Sequence, residues 1–159
     1  IDARETAGSL HDKLADLGAR LMVDVLARLS ASGALAATPQ PAEGVTYAHK
    51  LARAAARIDW ARDAPAIDRA VRAFDPWPAA WTTLAGATLK IWRAHVLPDA
   101  AAAGAAPGSV VRAGADGIDV ACGEGVIRID EVQAPNARRM PAAAFAAGRA
   151  IGPPTVLGT

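Results

Sequence analysis

The stretch GIDVACGEGVIRIDEV, residues 117–132, decides the fold because it holds two short strand-like runs around a glycine-containing turn. Apolar and polar residues alternate in GIDVAC and again in GVIRIDEV, which is the period-2 pattern of half-buried β-strands. The CGEG between them supplies the glycines that a tight reversal of the chain needs. The stretch therefore predicts two consecutive strands of a sheet.

Three similar runs precede this pair: WTTL at 81–84, TLKIWRAHV at 88–96 and SVVRA at 109–113. An alanine- and glycine-rich loop, residues 97–108, separates the second run from the third. Five short strands with one long connection predict a mainly β domain with flanking helices, a small five- to six-stranded OB-like open barrel. A five-stranded open sheet is the alternative. Residues 141–154, PAAAFAAGRAIGPP, predict a last short helix around Phe145.

The N-terminal residues predict an isolated amphipathic helix, which Thr6 or Ser9 could cap. Its apolar side chains recur at spacings of three and four: Leu10, Leu14, Leu17, Leu21, Val25 and Leu29. No residue before the helix could cover this stripe. Residues 31–46 are small, proline-containing and almost uncharged, the composition of a linker. We therefore divide the chain into a helix at 1–30, a linker at 31–46 and a domain at 47–159.

The segment RAFDPWPAAW, residues 72–81, predicts a corner between helix and sheet. Asp63 and Pro65 favour the start of a short helix whose buried face holds Ile67, Val71 and Phe74. The prolines on both sides of Trp77 then fix much of the backbone. A rigid tryptophan here either plugs the core or offers a stacking platform for a base, and the usual burial of aromatic side chains favours the core.

The charge is uneven along the chain, although the net charge is only +1. Residues 47–97 hold eight of the seventeen basic side chains and carry a net charge of +4. Lys50, Arg53 and Arg57 recur at spacings of three and four, which brings them to one side of a helical or turn-like segment. They form either a solvated face or a site for an anionic partner. Arg138 and Arg139 are a second, smaller basic patch.

The sequence contains no recognisable catalytic or metal-binding pattern. The single cysteine, Cys122, lies in a strand-like run and is predicted to be a small buried hydrophobe, which fits a reducing, cytoplasmic setting. The three histidines are scattered, so they lack metal-ligand spacing, and Asp130 and Glu131 are neighbours whose side chains would point to opposite faces of a strand. No apolar run is long enough to span a membrane. These residues predict a binding module.

Several of these stretches resemble, in the same order, the C-terminal half of bacterial methionyl-tRNA formyltransferases. The resemblance covers essentially the whole chain and is most specific at FDPWP, residues 74–78. It is carried by ETAGSLHDKLADLG (5–18), VTYAHKL (45–51), RIDW (57–60), RAFDPWPAAW (72–81), GATLKIWRAHV (86–96), APGSVV (106–111), GIDVACGEGVIRIDEVQ (117–133) and NARRM (136–140).

The resemblance implies a function in translation initiation: transfer of a formyl group from 10-formyltetrahydrofolate to methionyl initiator tRNA. In that family the catalytic residues and the folate site belong to a Rossmann-like domain upstream of the position equivalent to Ile1. The resemblance therefore implies that this chain holds no catalytic, cofactor or metal position, and that residues 1–30 are the last helix of that missing domain. It implies a monomeric whole enzyme with no membrane partner. The tRNA-binding candidates are Lys50, Arg53, Arg57, Arg138 and Arg139.

Two other functions stay open at this stage. Formyltransferases that act on sugar nucleotides, and the folate domain of formyltetrahydrofolate dehydrogenase, share the two-domain plan and a similar Pro-Trp-Pro corner. A free-standing nucleic-acid-binding barrel would instead need aromatic residues along one strand face, and the strands offer Trp81 and Trp92.

Overall fold

A six-stranded antiparallel sheet with flanking helices forms the body of the protein in a computed structural model that describes residues 1–102 and 104–159. Ala103, in the predicted alanine-rich loop, lies outside the described residues. The elements are α1 (Ala7–Ser32), a 3₁₀ turn (Arg53–Ala56), α2 (Ala64–Ala73), β1 (Ala80–Leu84), β2 (Ala87–Leu97), β3 (Val110–Gly114), β4 (Gly117–Ala121), β5 (Val126–Gln133), β6 (Met140–Pro141) and α3 (Ala142–Ala147).

The strand order is β1-β2-β5-β4-β3, with β6 paired to β5. The mainly β fold, its five predicted strands and the short last helix are confirmed, and the sheet is open. Its two edge strands are linked through the C-terminal residues instead of by direct pairing. The Val110 amide of β3 donates to the Thr155 carbonyl at 2.9 Å, and the Gly158 amide donates to the Thr83 carbonyl of β1 at 2.8 Å.

Helix α2 packs on the sheet as its sequence predicts. The Asp63 carboxylate accepts a hydrogen bond from the Ala66 amide and caps the helix, while Ile67 and Val71 are buried in the core. Phe74 ends the helix and is partly buried against the same cluster. The large, fully buried side chains of the sheet that complete the core are Ile91, Ile118, Val120, Val126, Ile127, Ile129 and Val132.

The prediction that Trp77 plugs the core is wrong, because its side chain is 60% exposed. The corner exists, but the residues that turn into the sheet after it are Pro78, Ala79 and Ala80, all of them buried. Small side chains suffice there, so the indole points outward. The tryptophan that fills the core is Trp60, which is 6% exposed.

Within residues 1–102 and 104–159, the hydrogen bonds that join helix α1 to the domain lie at the start of the helix. Thr6 and Ser9 form a reciprocal capping box, and Gly33, with a φ of 70°, ends the helix. The Gly8 amide donates to the Asp75 carbonyl at 2.9 Å, and an Arg72 Nη donates to the Glu5 carbonyl at 2.9 Å. No residue of the helix itself is buried. The apolar stripe is therefore exposed, as expected for a helix without a partner.

Candidate nucleic-acid interface

Arg53 and Arg57 lie over one indole, that of Trp81 on β1. Their guanidinium carbons are 6.0 and 5.7 Å from the ring centroid, within the range of a cation–π contact. The Trp81 Nε1–H donates to the Arg53 carbonyl at 2.9 Å, and the Ile58 amide donates to the Trp81 carbonyl at 2.8 Å. The edge of the sheet thus fixes the backbone on which both arginines sit.

Lys50, the third predicted residue of this basic group, lies in the irregular segment before the 3₁₀ turn and is exposed. The segment is not a continuous helix: the turn covers only Arg53–Ala56, and Arg57 already has extended backbone. The structure therefore brings Arg53 and Arg57 together through the Trp81 ring, and not through the helical spacing on which the sequence prediction relied.

Arg139 and Lys90 cover a second indole, that of Trp92 on β2. The Arg139 guanidinium carbon is 3.2 Å from the ring centroid, and Lys90 Nζ is 5.6 Å from it. The Trp92 Nε1–H donates to the Gln133 side-chain oxygen at 3.0 Å. Trp92 is only 7% exposed, yet it does not belong to the core cluster. Two cations and an amide side chain are therefore among the groups that cover this indole.

The two arginines predicted in the second patch have different surroundings. Arg138 is exposed, whereas Arg139 is stacked on Trp92 and has an Nη 3.9 Å from an Asp75 carboxylate oxygen. Sequence reasoning missed Lys90 as part of a basic surface. The signal was present, because the period-2 pattern of β2 places Lys90 and Trp92 on the same face of the strand.

A groove of about 900 Å³ lies between the first residues, α2 and the strands β2 and β5. Here His95 Nδ1 and an Asp130 carboxylate oxygen are 2.9 Å apart, so Asp130 contacts a histidine on β2 and does not pair with Glu131. The other charged side chains of the groove are of both signs: Arg4, Arg72 and Arg93, with Asp68, Asp75 and Glu131. This mixture gives the groove no clear preference for an anion or a cation.

Cys122 is buried, as predicted, and burial raises the pKa of its thiol to about 11. A thiol that stays protonated and covered is a poor nucleophile. In residues 1–102 and 104–159, no three histidine, cysteine or acidic side chains come together as a metal site. Within those same ranges, no helix is both long and apolar enough to cross a membrane.

Comparison with known proteins gives a consistent picture. Residues 50–150 match the family model described as "Formyl transferase, C-terminal domain". The chain is 53% identical over 144 residues to a methionyl-tRNA formyltransferase of Burkholderia pseudomallei strain 668, covering 91% of the chain and 43% of that protein. It is 49% identical over 153 residues to the one of Ralstonia nicotianae, covering 96% and 46%. The chain thus spans less than half the length of these relatives.

Solved structures with the same fold include crystal structures of HypX from Aquifex aeolicus. One variant matches with a TM-score of 0.69 at 17% identity, over 91% of this chain and 26% of HypX. The complex with tetrahydrofolic acid matches with a TM-score of 0.59 at 18% identity, over 79% and 22%. At such low identity the likeness concerns the fold alone.

Proposed function

Because the chain belongs to the formyl transferase C-terminal domain family, we propose that it is the tRNA-binding part of a methionyl-tRNA formyltransferase. The whole enzyme would transfer a formyl group from 10-formyltetrahydrofolate to methionyl initiator tRNA. The observation that carries this proposal is the identity of 53% with a protein of that name over 91% of the chain. This sequence identity is far above the 17–19% identity to HypX.

The role of this chain within that reaction is to hold and orient RNA. Lys50, Arg53, Arg57, Arg138 and Arg139 are the proposed tRNA contacts, and all five side chains are exposed. Lysine and arginine bind phosphates with little regard to base sequence, so they supply affinity and register while another part of the enzyme selects the initiator tRNA. The folate donor and the catalytic groups belong, in this proposal, to a preceding domain.

Helix α1 is the proposed connection to that domain. On this helix Leu14, Leu17 and Leu21 are each more than half exposed. Burial against another surface would stabilise such an apolar stripe. Residues 1–30 would complete the preceding domain, residues 31–46 would link it to the domain at 47–159, and the whole enzyme would be a cytoplasmic monomer. These boundaries and this oligomeric state remain predictions.

The direct test is a salt titration of tRNA binding by this chain and by the triple variant Lys50→Ala/Arg53→Ala/Arg57→Ala. Each lost phosphate contact should flatten the plot of log binding constant against log salt by about 0.7–0.9. Initiator and elongator tRNAs should compete almost equally, and the chain alone should produce no formyl-methionyl-tRNA. Absence of tRNA binding at low salt would contradict the proposed function, and an unchanged slope would place the RNA elsewhere.

A further inference from the structure

The two indoles covered by cations lie on one face of the β1–β2 pair. Trp81 and Lys90 are direct cross-strand partners, and partners in an antiparallel pair project to the same face. Lys90 reaches Trp92, two residues further along the same strand. A row of neighbouring side chains therefore runs from Arg53 and Arg57, across Trp81 and Lys90, to Trp92 and Arg139.

We propose that this row is one RNA-binding surface, with Lys90 as its central phosphate contact and the two indoles as positioning residues. This inference rests on the proposed function, and it joins the two basic patches that are far apart in the sequence. The surface suits a polyanion, because it carries four cations. For the part of the chain that the structure describes, the only carboxylate within 4.0 Å of these cations is that of Asp75, 3.9 Å from Arg139.

The cations that lie over the two indoles indicate which part of an RNA the surface binds. A base could stack on Trp92 only by displacing Arg139, whose guanidinium carbon lies 3.2 Å from the ring centroid. Trp92 has almost no free ring surface, and Trp81 already has two guanidinium groups over it. One Nη of Arg57 donates to the Gly158 carbonyl at 3.3 Å, and one Nη of Arg139 lies 3.9 Å from Asp75. The remaining N–H groups of these two arginines, with those of Arg53 and Lys90, are the donors that can meet a ligand. The RNA sugar-phosphate backbone is therefore the occupant, and unstacked bases are not.

The indoles reduce the loss of side-chain conformational entropy that accompanies RNA binding. Lysine and arginine side chains lose much rotational freedom when they are fixed on a ligand. A cation that already rests on an aromatic ring has lost part of that freedom before the RNA arrives, because the cation–π attraction restricts the side chain. Trp81 and Trp92 act through the cations and do not touch the RNA.

The first test compares Lys90→Ala with Arg112→Ala in a salt titration with tRNA. Each substitution removes one positive charge, but Arg112 lies on β3, at the opposite edge of the sheet. Lys90→Ala should flatten the logarithmic salt slope by about 0.7–0.9, and Arg112→Ala should leave it unchanged. Equal slopes in the two variants would overturn the inference, although the parent chain would still bind RNA. Loss of RNA binding by the parent chain itself would overturn the proposed function as well.

The second test separates positioning from stacking. A 12-nucleotide RNA and an abasic strand with the same number of phosphates should bind the parent chain with affinities within threefold. Trp81→Leu should lower the affinity for both the RNA and the abasic strand. Trp81→Phe should restore much of that affinity, because a phenyl ring still attracts the two arginines. Tenfold tighter binding of the base-containing strand, or no rescue by phenylalanine in variants that melt like the parent, would contradict the assignment.

Discussion

The indole Nε1–H of Trp60 donates a 3.0 Å hydrogen bond to the hydroxyl of Thr82, and both side chains are buried. This bond ties the residues that precede α2 to β1. Trp60→Ala should therefore lower the free energy of unfolding by about 3–5 kcal/mol, because it leaves both a cavity and an unpaired buried hydroxyl. Trp77→Ala, at the exposed corner, should change it by less than about 0.5 kcal/mol. Denaturant unfolding of both variants checks this, and equal losses would contradict the assignment of the core tryptophan.

Asp119 on β4 should be the charged residue of the domain whose substitution lowers the stability most. It is buried and accepts hydrogen bonds from Arg128 at 2.6 and 3.0 Å and from Arg112 at 2.9 Å. Burial by itself would raise the pKa of Asp119, but the bonds from the two arginines lower it overall. Asp119→Ala should cost about 3 kcal/mol, since it leaves the largely buried Arg128 without its main partner.

Arg112→Ala should cost less than about 1 kcal/mol, because Arg112 is exposed and Arg128 keeps both of its bonds to Asp119. Because the pKa of Asp119 is lowered, the stabilisation that its bonds to Arg128 and Arg112 provide is complete above the ordinary aspartate pKa of 3.8. It is lost as the pH falls below that value. Urea unfolding of the parent, Asp119→Ala and Arg112→Ala at pH 7 and pH 3 measures both effects. A parent no more stable than Asp119→Ala at pH 7 would exclude this role.

The start of α1 should loosen only in strong acid. The Glu5 carboxylate accepts a hydrogen bond from the Asp2 amide at 3.0 Å, and Lys13 Nζ lies 2.8 Å from it. The Asp2 bond and then the Lys13 contact lower the pKa of Glu5 from 4.5 to about 2. Because the folded-state pKa is the lower one, these contacts stabilise fully above pH 4.5 and are lost as the pH falls through about 2.

Titration of the Glu5 carboxyl by NMR tests this value directly. In Lys13→Met the midpoint should rise but stay below 4.5, because the Asp2 amide still donates to Glu5. A midpoint near 4.5 in the parent chain would show that the Asp2 and Lys13 contacts do not form in solution.

Cys122 should report on unfolding. Burial raises the pKa of this thiol to about 11, so at pH 8 a thiol reagent meets a protonated and covered group. Labelling should then follow the unfolded fraction and be slower than in denaturant by at least about 10³-fold. Cys122→Ser supplies the unlabelled control. Rapid labelling at pH 8 without denaturant would mean that the β4–β5 turn opens on its own.

The apolar stripe of α1 should drive self-association of this chain. Leu14 and Leu21 are 56% and 52% exposed and lie on the same side of the helix. Leu14→Lys/Leu21→Lys should therefore shift the chain toward monomer without lowering its melting temperature. Ala19→Lys/Ala27→Lys adds the same charge on the opposite side and serves as the control. Sedimentation equilibrium measures the outcome, and equal shifts in both double variants would implicate charge repulsion instead of the stripe.

The strands could be predicted because their signal is local. Alternation and glycine turns act on neighbouring residues, so GVIRIDEV predicts a strand at 125–132, and β5 is Val126–Gln133. The two-residue strand β6 was missed, because Met140 and Pro141 are too few to show a period. They form a strand only through pairing with Val132 and Glu131.

Contacts between distant residues could not be predicted in the same way. Nothing near Trp77 indicates that small residues would cover the core in its place, and nothing near Trp60 indicates its bond to Thr82. The basic residues were found from their spacing, but their arrangement over Trp81 and Trp92 depends on the pairing of β1 with β2. The candidate site could therefore be predicted as a set of charges and not as a surface.

The link that residues 155–159 make between β1 and β3 also hinders pairing of the sheet edges with other molecules of the protein. An open sheet ends in two strands with unpaired amides and carbonyls, which can recruit strands of other molecules. The tail meets one edge through Thr155 and the other through Gly158. Its irregular backbone cannot serve as the template that a further flat strand would need. Residues 155–159 thus hinder intermolecular sheet growth. A chain cut before Thr155 would expose the Val110 amide of β3 and the Thr83 carbonyl of β1, although the Ile58 amide would still donate to the Trp81 carbonyl at the β1 edge.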